Sequence, residues 1–98
     1  MKTEKFRNLV QFLGGCFNQD WRLDDPTPEA VVMRFVAENS EEFVTDVVSE
    51  LDELLSLSLT EEELQRVLFE EFHCYYLPTE TSIGDWLSHV RASLSVGI

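Results

Sequence analysis

The sequence predicts an all-α fold, a compact single-domain bundle of about five helices spanning residues 1–98. Three observations carry that expectation. Apolar residues recur three and four apart in five separate segments, several of those segments open on a residue able to cap a helix, and no segment sustains the alternation of a half-buried strand. With 98 residues, 44 % hydrophobic content and 11 aromatic side chains, the chain has material for one modest core, despite a net charge of −12.

The first helix follows Thr3 and shows Phe6, Leu9, Val10 and Leu13 on one face until Gly14 and Gly15, where it is expected to end. The stretch "GGCFNQDW" after it reads as a structural corner. Its glycines release the chain from the helix, Phe17 and Trp21 plug the core, and Asn18, Gln19 and Asp20 satisfy backbone amides. In "TPEA", Thr27 caps a second helix with Pro28 at its first position, and Val31, Val32, Phe35 and Val36 form its stripe, ending near Asn39.

Ser40 caps the third helix, whose Phe43, Val44, Val47, Val48, Leu51, Leu54 and Leu55 cover about a third of the circumference at roughly 100° per residue. The spacing overrides the strand preference of its valines. Thr60 and Glu63 make a capping box for a fourth helix carrying Leu64, Val67, Leu68 and Phe72, and the short connection favours antiparallel packing against the third. "HCYYLPTET" loses the period and contains Pro78, so it forms a loop, with room for a short extended piece at residues 75–77. Ser82 and Asp85 start the last helix, with Ile83, Trp86, Leu87, Val90 and Leu94 inward.

Charge is unevenly distributed. Residues 25–72 hold 14 acids against Arg34 and Arg66, which is −12, while the preceding residues sum to +1 and the following ones to −1. Such a block repels nucleic acid and anionic lipid and steers basic partners inward. No basic stretch followed by an apolar run opens the chain, and no apolar run approaches the roughly 20 residues needed to span a bilayer, so a cytoplasmic protein is expected, with no membrane partner and no direct nucleic-acid binding. In that compartment Cys16 and Cys74 read as reduced thiols.

The motifs argue against an enzyme, a metal and a cofactor. Cys16, His73, Cys74 and His89 lack the close paired spacing of structural zinc ligands. The glycine pair follows a helix, not a strand, and no G-K-[ST] is present. "DWRLDD" lacks the glycine and final glutamate of a calcium loop, and no nucleophile stands with a positioned base.

The candidate binding residues are acidic and aromatic. Glu42, Asp46, Glu50 and Glu53 share one ridge of the third helix opposite the apolar stripe, with no base four residues away, so each like-charge pair costs the helix about 0.2–0.5 kcal/mol. That ridge reads either as a solvated face or as a docking surface for a basic protein. Tyr75 and Tyr76 in the loop are the aromatic candidates for a binding hot spot. Glu71 projects toward the apolar side of the fourth helix and is expected to hydrogen-bond a loop.

Taken in order, "LGGCFNQDW", "TPEAVVMRFVAENS", "LDELLSL", "TEEELQRVLFEEFHCYYLP" and "DWLSHV" resemble the contact-dependent growth inhibition immunity proteins of bacteria, over nearly the whole chain from Phe6 to Val90. The resemblance implies a small helical cytoplasmic protein that binds and neutralises the toxic C-terminal domain of a delivered effector. Many such toxins are nucleases, and a nuclease presents a basic surface to phosphates that an acidic inhibitor can occupy. The alternative is an acidic regulatory adaptor, or a nucleic-acid mimic, that binds a basic cellular protein.

Overall fold

The helix starts come from local chemistry. Thr27, Ser40, Thr60 and Ser82 each accept a hydrogen bond from the backbone amide three residues on, at 3.1, 3.1, 3.1 and 3.0 Å, satisfying one of the donors that a helix leaves open at its N-terminus. At Thr60 the box is reciprocal, because the Glu63 carboxylate accepts from the Thr60 amide at 3.0 Å. Hydrogen bonding to the Thr60 amide first, and to the Thr60 hydroxyl second, holds the Glu63 carboxyl below its ordinary value of 4.5.

The computed structural model describes residues 4–24 and 27–96. A 3₁₀ turn, Glu4–Phe6, leads into α1, Arg7–Cys16, and then come α2, Trp21–Asp24; α3, Pro28–Glu38; α4, Glu41–Ser56; α5, Glu61–Arg66, continued by a π-helical turn, Val67–Glu71; and α6, Ile83–Val96. No strand occurs among the described residues, and residues 73–78 are irregular. All five amphipathic segments are helical. The sixth helix, α2, was not expected: it starts at Trp21, the last residue of the stretch read as a corner, and runs beyond it to Asp24, and Thr3 lies outside the described residues.

Three details differ from the sequence expectation. First, α1 does not stop at its glycines: it runs through both to Cys16, and no glycine among the described residues has positive φ. Gly14 is instead a point of close approach, because a Cβ there would stand 2.7 Å from the Phe72 carbonyl oxygen. Asn18 closes the helix, donating from Nδ2 to the Gly15 carbonyl and accepting the Asp20 amide, after which α2 begins. Second, α5 does not fold back along α4. The turn between them passes through Ser58 at φ 54°, α4 packs mainly on α1 and α6, and α5 lies against α6. Third, Glu71 is half-buried and its carboxylate makes no hydrogen bond among the described residues.

Phe6, Leu9, Phe12, Leu13 and Phe17 from the N-terminal third pack with Leu51 and Leu54 of α4, Leu68 and Phe72, and Leu87 and Leu94 of α6, all fully buried. An aromatic chain runs through this core, from Phe43 to Phe35 at 5.6 Å, Phe35 to Phe12 at 4.4 Å, Phe12 to Phe17 at 6.2 Å, and Phe17 to Trp86 at 5.5 Å between ring centroids. Cys74 is wholly buried beside it, donates its thiol to the Tyr76 carbonyl at 3.4 Å, and burial pushes it up to about 11. At that value it packs as a small apolar side chain. No helix is long and apolar enough to cross a membrane among the described residues.

Candidate partner interface

The acidic ridge of α4 divides into two classes of carboxylate. Glu42 and Asp46 are exposed and make no ion pair or hydrogen bond among the described residues. Glu53 is exposed but meets Lys5 at 3.3 Å, an ion pair between half-exposed groups that contributes at most about 1 kcal/mol. Glu50 is partly buried. Its carboxylate accepts from Asn8 Nδ2 at 2.6 Å and from the Leu9 amide at 2.9 Å.

That placement corrects the reading of Glu50 as a free ridge residue. The residue at the cap position of α1 is Phe6, which offers no side-chain acceptor, so the open amide of Leu9 in the first turn is satisfied by a carboxylate from α4. Glu61 plays the same part for α6, accepting the Ile83 and Gly84 amides at 2.6 and 3.0 Å while Ser82 takes the Asp85 amide. On the opposite edge of α4, Asp52 is held by a two-pronged contact from Arg91, at 2.7 Å from Nε and 3.1 Å from Nη2. Asp52 in turn raises Arg91 above its ordinary value. Part of the acidic excess therefore fastens helices together, and Glu42 and Asp46 are left facing solvent.

The two tyrosines separate. Tyr75 is exposed and its ring meets that of Phe69 edge-on at 5.3 Å. Tyr76 turns inward, half-buried, against Trp86 at 4.9 Å, Trp21 at 5.6 Å and Phe17 at 5.8 Å. The π-helical turn causes the split. The Phe72 amide reaches back five residues to the Val67 carbonyl and the Cys74 amide reaches six to that of Leu68, and His73 then takes φ 56°. The Tyr75 amide is pinned to the Phe17 carbonyl at 2.7 Å, which sets Tyr75 outside and Tyr76 inside.

Phe69 is the residue the sequence reading passed over. It is 47 % exposed, and with Glu62, Gln65, Arg66, Glu70 and Leu77 it borders an open hollow on the α5 side. The signal was present: at roughly 100° per residue Phe69 falls off the stripe of Leu64, Val67 and Leu68, onto a polar face where a phenyl ring has no packing reason to be. Met33 and Leu23, 72 % and 83 % exposed, are also outward apolar side chains. No group of three or more His, Cys, Asp or Glu side chains able to hold a metal ion occurs among the described residues.

Comparison with known proteins bears on this surface. The sequence model of the CdiI immunity protein family matches residues 5–94. No curated protein sequence matches. Among solved structures, a chain in the crystal structure of the CdiA-CT/CdiI complex from Y. kristensenii 33638 superimposes with a TM-score of 0.86 at 32 % sequence identity, over 93 % of this chain and 99 % of that one.

Proposed function

This chain belongs to the CdiI immunity protein family, and from that premise we propose that it acts in the cytoplasm, without enzymatic activity, by covering the toxic C-terminal domain of a contact-dependent growth inhibition effector. It is an immunity protein that binds a contact-dependent growth inhibition toxin. The observation that carries this is the match of nearly the whole chain both to the family and to a chain seen in a CdiA-CT/CdiI complex. We further read the toxin as basic and as a nuclease. Support for that finer reading comes from Glu42 and Asp46, exposed carboxylates without compensating partners in a chain of net charge −12. The contact surface proposed is Glu42, Asp46 and the exposed edge of Glu53 on α4, with Tyr75 and Phe69 as the aromatic anchors. Glu50 braces that ridge from beneath by tying α4 to Asn8 and Leu9 of α1, while Tyr76 packs on Trp86, Trp21 and Phe17 instead.

Two measurements test the proposal. Cells expressing the toxic C-terminal domain of the cognate effector should survive when they also make this protein, and death despite its presence would end the reading. Replacing Glu42 and Asp46 with lysine should slow association with that domain by about tenfold at low salt, with the difference shrinking as salt rises. An unchanged association rate would leave the ridge outside the interface.

A further inference from the structure

Resting on the toxin-binding reading, we infer that the hollow between α3, α6 and the loop before α6 receives one arginine side chain of the toxin, stacked on Tyr76 and forked by carboxylates. The hollow is open to solvent, with Glu29, Glu80 and Asp85 all exposed, and offers about 470 Å³, ample for a single side chain. Three acids on three separate elements line it, Glu29 on α3, Glu80 in the loop and Asp85 on α6, against one basic side chain, His89 of α6, and no lysine or arginine. Tyr76 and Trp86, ring centroids 4.9 Å apart, supply its aromatic wall.

None of these carboxylates has a task in the fold comparable to that of Glu50 or Glu61. The carboxylates of Glu29, Glu80 and Asp85 accept no hydrogen bond and form no ion pair among the described residues. Glu29 and Asp85 do sit in the first turns of α3 and α6, where the helix dipole favours them, but Glu80 has no such position. The Tyr76 hydroxyl likewise has no hydrogen-bond partner among the described residues. Burial, then the negative potentials of Glu29 and Glu80, raise its proton affinity, against an opposing contribution from Arg22. A cation entering the hollow relieves the mutual repulsion and meets both an aromatic ring and acceptors.

Arginine fits this chemistry better than lysine. A planar guanidinium stacks on an aromatic face while its edge donates to carboxylates in different directions, whereas an ammonium is a compact, strongly hydrated point charge. The same aromatic cluster already accepts such a group from within the chain, since the Arg22 guanidinium lies 5.3 Å from the Trp21 ring centroid and Trp21 packs on Tyr76.

The test uses the full chain and a catalytically inactive form of the cognate toxic domain. Glu29→Gln with Glu80→Gln should keep the thermal midpoint close to wild type and weaken the complex by about 30-fold or more, chiefly through faster dissociation. If the double variant folds poorly, Glu80→Gln alone, in an exposed loop position, should still weaken binding severalfold. Tyr76→Phe keeps the stacking ring and should retain most of the affinity. Replacing each toxin arginine by glutamine in turn should reveal one position at which the Glu29 and Glu80 substitutions cause no further loss. Binding within twofold of wild type by a folded double variant, or a loss shared evenly among all the toxin's basic residues, would overturn the pocket. Absence of binding or protection by the wild-type protein would instead overturn the functional reading on which it rests.

Discussion

Gly14 and Gly15 are adjacent in α1 yet answer to opposite constraints. A Cβ on Gly14 would press to 2.7 Å from a backbone oxygen that cannot swing away, whereas a Cβ on Gly15 meets nothing within 4 Å. Gly14→Ala should therefore destabilise by about 1–3 kcal/mol, as overpacking does, and Gly15→Ala should stabilise by about 0.4–1 kcal/mol by restricting the unfolded chain. Denaturant midpoints of the two variants should move in opposite directions from wild type. The sequence identified both glycines as special but assigned them a conformational role. Which of them touches another segment depends on Phe72, 58 positions along the chain, and no local pattern reports that contact.

At the scale of elements, the caps written within four residues of a helix start were all legible: Thr27, Ser40, Thr60 and Ser82. The caps supplied from elsewhere were not. Glu50 reaches Leu9 across 41 positions and Glu61 reaches Ile83 across 22; in the sequence Glu50 reads as one more acid of the ridge and Glu61 as a first-turn acid of its own helix. Glu50→Ala should cost about 1–2 kcal/mol because it leaves the Leu9 amide and Asn8 without their acceptor, while Asp46→Ala, one turn away, should be neutral or slightly stabilising. Equal effects in thermal denaturation would show that Glu50 is surface after all. Glu63 adds a pH signature. Its carboxyl is held below 4.5 in the folded protein, so its contribution is fully present above that pH and is lost as pH falls through the lower folded-state value. Acid titration of stability should have a shallower slope in Glu63→Gln, which retains an acceptor for the Thr60 amide but cannot titrate.

Across the whole molecule, the core was readable because apolar spacing alone decides which side of each helix faces inward. The relative placement of α4 and α5 was not, since the left-handed Ser58 and the tie from Glu61 to α6 override the usual preference for a short antiparallel connection. The candidate interface was legible only in part: Glu42, Asp46 and Tyr75 stand in the open, Glu50 and Tyr76 are drawn into the fold, and Phe69 emerges through a turn whose hydrogen bonds skip one residue more than an α-helix allows. That turn has a consequence for how the surface changes over evolutionary time. A π-helical turn accommodates one additional residue without shifting its neighbours, so deleting Phe69 should convert the five-residue hydrogen bond from the Phe72 amide to the Val67 carbonyl into the ordinary four-residue α-helical one and leave Leu68, Phe72 and everything beyond in register. The deletion variant should fold with little loss of helical signal and yet lack its aromatic partner for Tyr75, giving weaker toxin binding, whereas a collapsed thermal transition would show that the additional residue is structural. Insertion or loss of a single codon at this position thus offers such a lineage a route to a new specificity that passes around the core.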